Sequence, residues 1–184
     1  LCFTHLINNF YMVTIIAGTN RPHSNTLKVA KYYQKELAKK GLQTSLFDLK
    51  DLPQNFIAED LYGKKSEAFE KIQELMTNTS KFLFVIPEYN GSYPGVLKAL
   101  IDACAFPESF YDKKACLVGV SSGKYGNIRG IEHFNGVCAY LHLHVMPLRL
   151  HISYIKQEIN ENDELFKEDT LEFTNQQMDK FIAY

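Results

Sequence analysis

Short apolar runs alternate along the chain with longer amphipathic stretches, and the spacing within each predicts its conformation. Met12 to Ala17 is a β-rich run ended by Gly18. Leu27, Val29, Ala30, Tyr33, Leu37 and Ala38 then recur at helical spacing as far as Lys40-Gly41, behind a cap at Ser24 or Asn25. Residues 43–48 alternate, with Leu46 and Phe47 on opposite sides, and predict a second strand before the loop LKDLPQNF. A helix is expected over 64–78 with Ala68, Ile72, Leu75 and Met76 inward, followed by a strand over 81–86. That strand is apolar throughout, as expected where both faces of a sheet are covered. Residues 94–104 predict a helix opened near Pro94, with Val96, Leu97, Leu100 and Ile101 on one face. A buried strand over 115–120, a helix over about 128–143 and a fifth strand over 145–152 follow. After the solvated turn NENDE, residues 170–183 predict a closing helix with Leu171, Phe173, Met178, Phe181 and Ile182 inward.

Five strands alternating with five helices predict an α/β three-layer sandwich, a five-stranded parallel sheet with helices on both faces. The expected strand order is 2-1-3-4-5, which places a ligand outside the carboxyl ends of the strands, near the switch point between strands 1 and 3. The 184 residues fit one domain, expected over 12–184. The opening LCFTHLINNFY has no basic n-region, continuous apolar stretch or cleavage site. Because the first strand starts at Met12, residues 1–11 are expected to be an artefactual leader and Met12 the natural start.

Composition narrows the function classes. A net charge of −1 and a pI near 6.7 leave no basic excess to neutralise nucleic-acid phosphates. No apolar run approaches the roughly 18 residues of a membrane helix, so neither partner is expected. Cys2, Cys104, Cys116 and Cys138 lie far apart without zinc or redox spacing, which together with the absent export signal predicts reduced thiols and a cytoplasmic protein. His142, His144 and His151 lack carboxylates at ligand spacing, so no metal is expected. Ser121, Ser122 and Asp102 lack the G-x-S-x-G elbow of a hydrolase.

The chemistry concentrates in the loops after strands 1, 3 and 4, which this topology gathers at one edge. GTNRPHSNT offers a glycine turn, hydroxyls at Thr19, Ser24 and Thr26, the Arg21 guanidinium and a helix start, the donors and positive field that a phosphate monoester needs. It is neither G-x-G-x-x-G nor G-x-x-x-x-G-K-[ST]. PEYNGSYPG ends a strand with a proline, and its Gly91 and Gly95 permit tight turns that leave amides free for a flat heteroaromatic ring. Tyr89 and Tyr93 add faces for stacking. SSGKYGN supplies donors at Ser121, Ser122 and Lys124 and one more ring at Tyr125. A phosphate tail and a planar polar ring together describe FMN.

From Met12 onward the chain resembles the NADPH-dependent FMN reductases of flavodoxin-like fold, which include azo-dye, quinone and chromate reductases. The segment PEYNGSYPGVLK carries the family pattern P-E-Y-N-x-S-x-P-G-x-L-K at every fixed position. The resemblance implies that Thr19, Arg21, Ser24, Asn25 and Thr26 hold the FMN phosphate. It places the isoalloxazine edge on the backbone around Pro87, Glu88, Tyr89, Asn90 and Gly91, with Ser121, Ser122, Gly123, Lys124 and Tyr125 closing the other side. The implied activity moves hydride from NADPH or NADH through FMN N5 to a quinone, azo compound, metal oxyanion or flavin, with the flavin and no protein side chain carrying the chemistry. It also implies a homodimer or a tetramer of dimers, with Tyr89, Tyr93 and the helix over 94–104 near the contact. Two departures stand out: Leu97-Lys98-Ala99-Leu100-Ile101-Asp102-Ala103 replaces the common L-K-N-A-I-D-W, and Lys124 and Tyr125 enter a loop that is often double-glycine-rich. The alternatives are an FMN-binding electron carrier that does not oxidise NAD(P)H and a flavin-free interaction module of the same fold.

Overall fold

The computed structural model describes residues 12–184. The chain runs β1 (Val13–Ala17), α1 (Asn25–Lys39), β2 (Thr44–Asp48), α2 (Phe56–Glu59), α3 (Glu67–Asn78), β3 (Lys81–Pro87), α4 (Gly95–Ala103), β4 (Lys114–Val120), α5 (Ile128–Tyr140), β5 (His144–Val145), β6 (Leu150–Ile152) and α6 (Glu168–Ala183). The expected leader over residues 1–11 lies outside the described residues.

The sheet is parallel in the order β2-β1-β3-β4, with β5 and β6 both pairing β4 beyond it. This is the expected 2-1-3-4-5 arrangement. Side chains alternate across each central strand. On β3, Phe82, Phe84 and Ile86 join Phe69, Leu97, Leu100 and Phe134 in one core layer, under α3, α4 and α5. Leu83 and Val85 join Ile15, Tyr33, Leu37, Met178 and Phe181 in the other, under α1 and α6. Both layers are built of buried apolar side chains, which explains why the central strands carry almost no polar residue.

Several element details differ from the expectation. The fifth strand is two short pieces, because Met146-Pro147-Leu148-Arg149 interrupts it and proline brings no amide to a ladder. The third helix begins at Glu67 rather than 64, where the Ser66 hydroxyl accepts from the Phe69 amide at 3.2 Å. Its buried residues are Phe69, Ile72 and Met76, whereas Ala68 faces solvent and Leu75 is half-buried. Ala38 of α1 is exposed, and α5 ends at Tyr140 instead of 143. In α6, Phe173 is 54% exposed, and its neighbours Thr174 and Gln177 are buried. Gln177 Nε2 donates to the carbonyls of Leu117 and Leu148, and its Oε1 accepts from the Tyr33 hydroxyl at 2.7 Å. The loop LKDLPQNF holds a 3-10 turn over Leu49–Asp51 and the short helix α2.

Candidate cofactor site

The first loop leaves β1 through Gly18, whose amide donates to the Val85 carbonyl at 2.8 Å. A Cβ there would stand 2.9 Å from that same oxygen, so only glycine lets the chain turn this close to β3. Thr19 follows, buried, with its Oγ1 2.7 Å from the Tyr89 hydroxyl and accepting from the Arg21 amide. The loop ends at Ser24, whose hydroxyl caps α1 by accepting from Leu27 at 3.1 Å. Asn25 and Thr26 then open the helix, and their amides have no acceptor within it. The Arg21 side chain is exposed beside this opening turn, whereas Thr26 is buried.

β3 continues through the buried Pro87, and the Glu88 amide donates to the Val120 carbonyl at 2.9 Å, which ties the second loop to the end of β4. Tyr89 and Ser92 exchange backbone hydrogen bonds across Asn90 and Gly91, both at positive φ, 50° and 76°. This is the geometry of a type I′ turn, for which Asn-Gly is the favoured pair. The amides of Asn90 and Gly91 stay outside the Tyr89–Ser92 exchange. Ser92 Oγ lies 2.9 Å from His133 Nδ1 on α5.

The third loop packs down on the sheet edge. Ser121 bonds through its backbone to Ile152 and Ile155, and its hydroxyl donates to the Gly123 carbonyl at 2.8 Å. Tyr154 N–H also reaches the Gly123 carbonyl, and the Ser153 hydroxyl reaches that of Lys124. Ser122, Gly123 and Lys124 are exposed, and so is Tyr125, with 66% of its surface open and Lys124 Nζ 5.9 Å from its ring. Burial holds the pKa of His151 below the ordinary histidine value, with its Nδ1 3.3 Å from the Gly126 carbonyl.

The predicted residues therefore meet at the carboxyl edge on three loops held by two junctions. The first and second loops touch directly through Thr19 and Tyr89, and the second and third through Glu88 and Val120. Asn127 strengthens the second junction: it is fully buried in the left-handed region at φ 64°, and its Nδ2 donates to the Ile86 carbonyl at 3.0 Å. The motif SSGKYGNIRG contains both Asn127 and Arg129, and the sequence gives neither a role; Arg129 lies against Gly91. The Gly126-Asn127 dipeptide is the signal in the sequence, since both residue types tolerate the positive φ they adopt here. Two clefts open elsewhere. One of about 730 Å³ runs along α1 and α6, and one of about 500 Å³ lies between α4 and α5. The larger touches the site only at His23 and Ser24, and its Lys28, Lys35 and Lys39 are paired with Asp163, Glu164 and Glu36. The three-loop edge, in contrast, combines unclaimed amides, a cation, the exposed Tyr125 ring and the half-buried Tyr89 ring, whereas the Tyr93 ring packs edge-on against Phe134 in the core; the donor set fits a phosphate tail and a flat polar ring.

The sequence model of the NADPH-dependent FMN reductases matches residues 11–157. The chain belongs to this family. As an FMN reductase it uses FMN and a nicotinamide nucleotide, and it is an oxidoreductase rather than a flavin-free module or a carrier without NAD(P)H oxidation. It is 28% identical over 176 residues to a 2-hydroxy-1,4-benzoquinone reductase of a Burkholderia species, with 94% of each chain covered. It is 32% identical over 131 residues to a quinone reductase of Pseudomonas putida, covering 69% of this chain and 68% of that one. Among solved structures, the flavoenzyme FerB from Paracoccus denitrificans, an NAD(P)H:(acceptor) oxidoreductase, superposes with a TM-score of 0.77 at 24% identity, over 95% of this chain and 96% of that one. The last comparison bears on the fold, which is flavodoxin-like.

Proposed function

We propose that this FMN reductase is a quinone reductase whose cofactor lies across the three loops at the carboxyl edge of the sheet. The observation that carries this reading is the junction of those loops, Thr19 to Tyr89 at 2.7 Å and Glu88 to Val120 at 2.9 Å, around amides and rings left open. The quinone assignment draws on the two quinone-reducing relatives, one of which aligns over nearly its whole length.

In this reading Arg21, the hydroxyls of Thr19, Ser24 and Thr26 and the opening amides of α1, Asn25 included, hold the FMN phosphate. The backbone from Pro87 through Glu88, Tyr89, Asn90 and Gly91 holds one edge of the ring, and Ser121, Ser122, Gly123, Lys124 and Tyr125 close the other side. Bound FMN supplies two-electron hydride chemistry at its N5, accepting from NADPH or NADH and giving to the quinone. The chain's own residues bind and orient: the Thr19 contact fixes the Tyr89 ring, and the paired loops keep one face of the site accessible to donor and acceptor in turn. No side chain has to act as nucleophile or general base. Tyr89, Tyr93 and α4 lie near the contact of a homodimer, alone or as the building unit of a tetramer of dimers. The enzyme works in the cytoplasm; among the described residues no helix is long and apolar enough to cross a membrane.

Anaerobic spectroscopy tests the proposal. Protein reconstituted with FMN should bleach at the flavin bands on addition of NADPH and recover on addition of 1,4-benzoquinone. Bleaching without recovery by any quinone overturns the acceptor assignment. Arg21→Ala should weaken FMN binding, and an unchanged affinity overturns the phosphate loop.

A further inference from the structure

The opening turn of α5 carries a positive charge where helix electrostatics disfavour one. Arg129 is the second residue of α5, and the first turn contains no acidic residue to offset the partial positive charge of the open amides. Among the described residues no carboxylate forms an ion pair with it: Glu132, one turn along the helix, is taken by Arg149 at 2.5 Å. Arg129 is exposed, yet it lies over the second loop. Its Nη1 stands 3.0 Å, and its Cδ 3.8 Å, from the point a Gly91 Cβ would occupy.

Its placement is enforced from below. Asn127 Nδ2 holds the Ile86 carbonyl, so the end of β3 and the start of α5 move as one piece. Gly130 lets α5 close on the second loop, because a Cβ there would stand 2.1 Å from Asn127 Oδ1 and 2.7 Å from the Ser92 carbonyl carbon. The guanidinium is thus carried on a rigid base to the Asn90–Gly91 turn, whose two central amides stay outside the Tyr89–Ser92 exchange. A cation kept at a helix amino end, with no carboxylate partner and beside open amides, suits an anion that the protein itself does not contain.

We propose that Arg129 is a further binding residue of the flavin edge, stabilising the negative charge that the pyrimidine ring of FMN gains on two-electron reduction. The charge balance is simple: hydride added to the neutral oxidised ring leaves an anion, and no proton need accompany it. A cation beside that ring favours the reduced form and raises the midpoint potential. This inference rests on the reading that the Asn90–Gly91 turn receives the ring edge.

The test compares the FMN-loaded wild type with Arg129→Gln and Arg129→Lys by anaerobic potentiometric titration, together with dissociation constants for oxidised and reduced FMN. Arg129→Gln should weaken reduced FMN about tenfold more than oxidised FMN, a fall of about 30 mV in the two-electron midpoint. Arg129→Lys should restore most of the potential. Thermal unfolding of apo Arg129→Gln should be unchanged or slightly delayed, since the variant removes a cation from a helix amino end. An unchanged potential overturns the proposal, as does equal weakening of both redox forms. Failure of the underlying site reading looks different: FMN binding would then be indifferent to Arg21→Ala and Tyr89→Phe as well.

Discussion

At the scale of single residues, the site depends on contacts that a one-atom change breaks. Tyr89→Phe removes the hydroxyl that meets Thr19 Oγ1 and leaves the ring in place. One part-buried hydrogen bond is worth about 1 kcal/mol, so FMN affinity should fall roughly fivefold by fluorescence titration. An unchanged affinity would mean that the joined loops do not hold the ring. Gly126→Ala is harsher. Its Cβ would stand 2.5 Å from the backbone carbon of His151, and the residue sits at a φ of 54°. Backbone overlap plus the left-handed penalty should lower stability by at least about 2 kcal/mol, read from the urea midpoint. The location of the candidate residues was legible in the sequence because the loop chemistry is written in side chains: Arg21, Tyr89 and the Asn90-Gly91 turn all stand at the predicted edge. The roles of Asn127 and Arg129 were not, because each depends on a neighbour about 40 positions away, Ile86 and Gly91.

At the scale of elements, periodicity succeeded wherever one rule governed a segment. β1, β3 and β4 are buried on both faces, so their apolar runs end within a residue or two of the expected limits. It failed where two demands competed. In α3 the small Ala68 satisfied a helical stripe equally well on paper, but Phe69 fills the core beside Phe56 at 5.6 Å and sets the rotation of the helix. In α6 the buried Gln177 reads as surface by composition and is inside because Leu117, Leu148 and Tyr33 supply its partners. The cap of α1 is an element-level device with a functional consequence. Ser24→Ala removes the side-chain acceptor for the Leu27 amide, and caps of this kind are worth about 1 kcal/mol. Apo protein should lose about that much in urea unfolding, and FMN affinity should fall in addition because the fraying turn is the one proposed to hold the phosphate. A stability loss without any loss of affinity would separate the cap from the cofactor.

At the scale of the whole molecule, the topology was legible because alternating strand and helix leave few arrangements of a parallel sheet, and the switch between β1 and β3 marks where the candidate site is proposed. Global stability should carry a pH signature from His151, which underlies the third loop. Burial lowers its folded pKa from the ordinary 6.5, against smaller raising effects of the Gly126 carbonyl and Glu132, with Arg149 lowering it further. The unfolded chain therefore binds the proton first as pH falls through 6.5, so this contribution is complete above that value and is lost below it until the folded pKa is passed. His151→Gln should flatten the difference in urea midpoint between pH 7.5 and 5.5 relative to wild type; parallel curves would assign the acid sensitivity elsewhere. The proposed dimer makes a separate prediction about the outer face of α4 and α5. That face exposes 81% of Tyr140 and 62% of Phe106 around the 500 Å³ cleft, beside the exposed Lys98–Asp102 ion pair. Aromatic side chains of this size dominate the energy of interfaces when a partner covers them. Tyr140→Asp should weaken self-association at least tenfold by sedimentation equilibrium, whereas Phe173→Asp, at a comparably exposed ring on α6 in the opposite helical layer, should leave it unchanged. Equal effects of the two variants would place the seam elsewhere, and a wild type that stays monomeric at working concentration would remove the dimer.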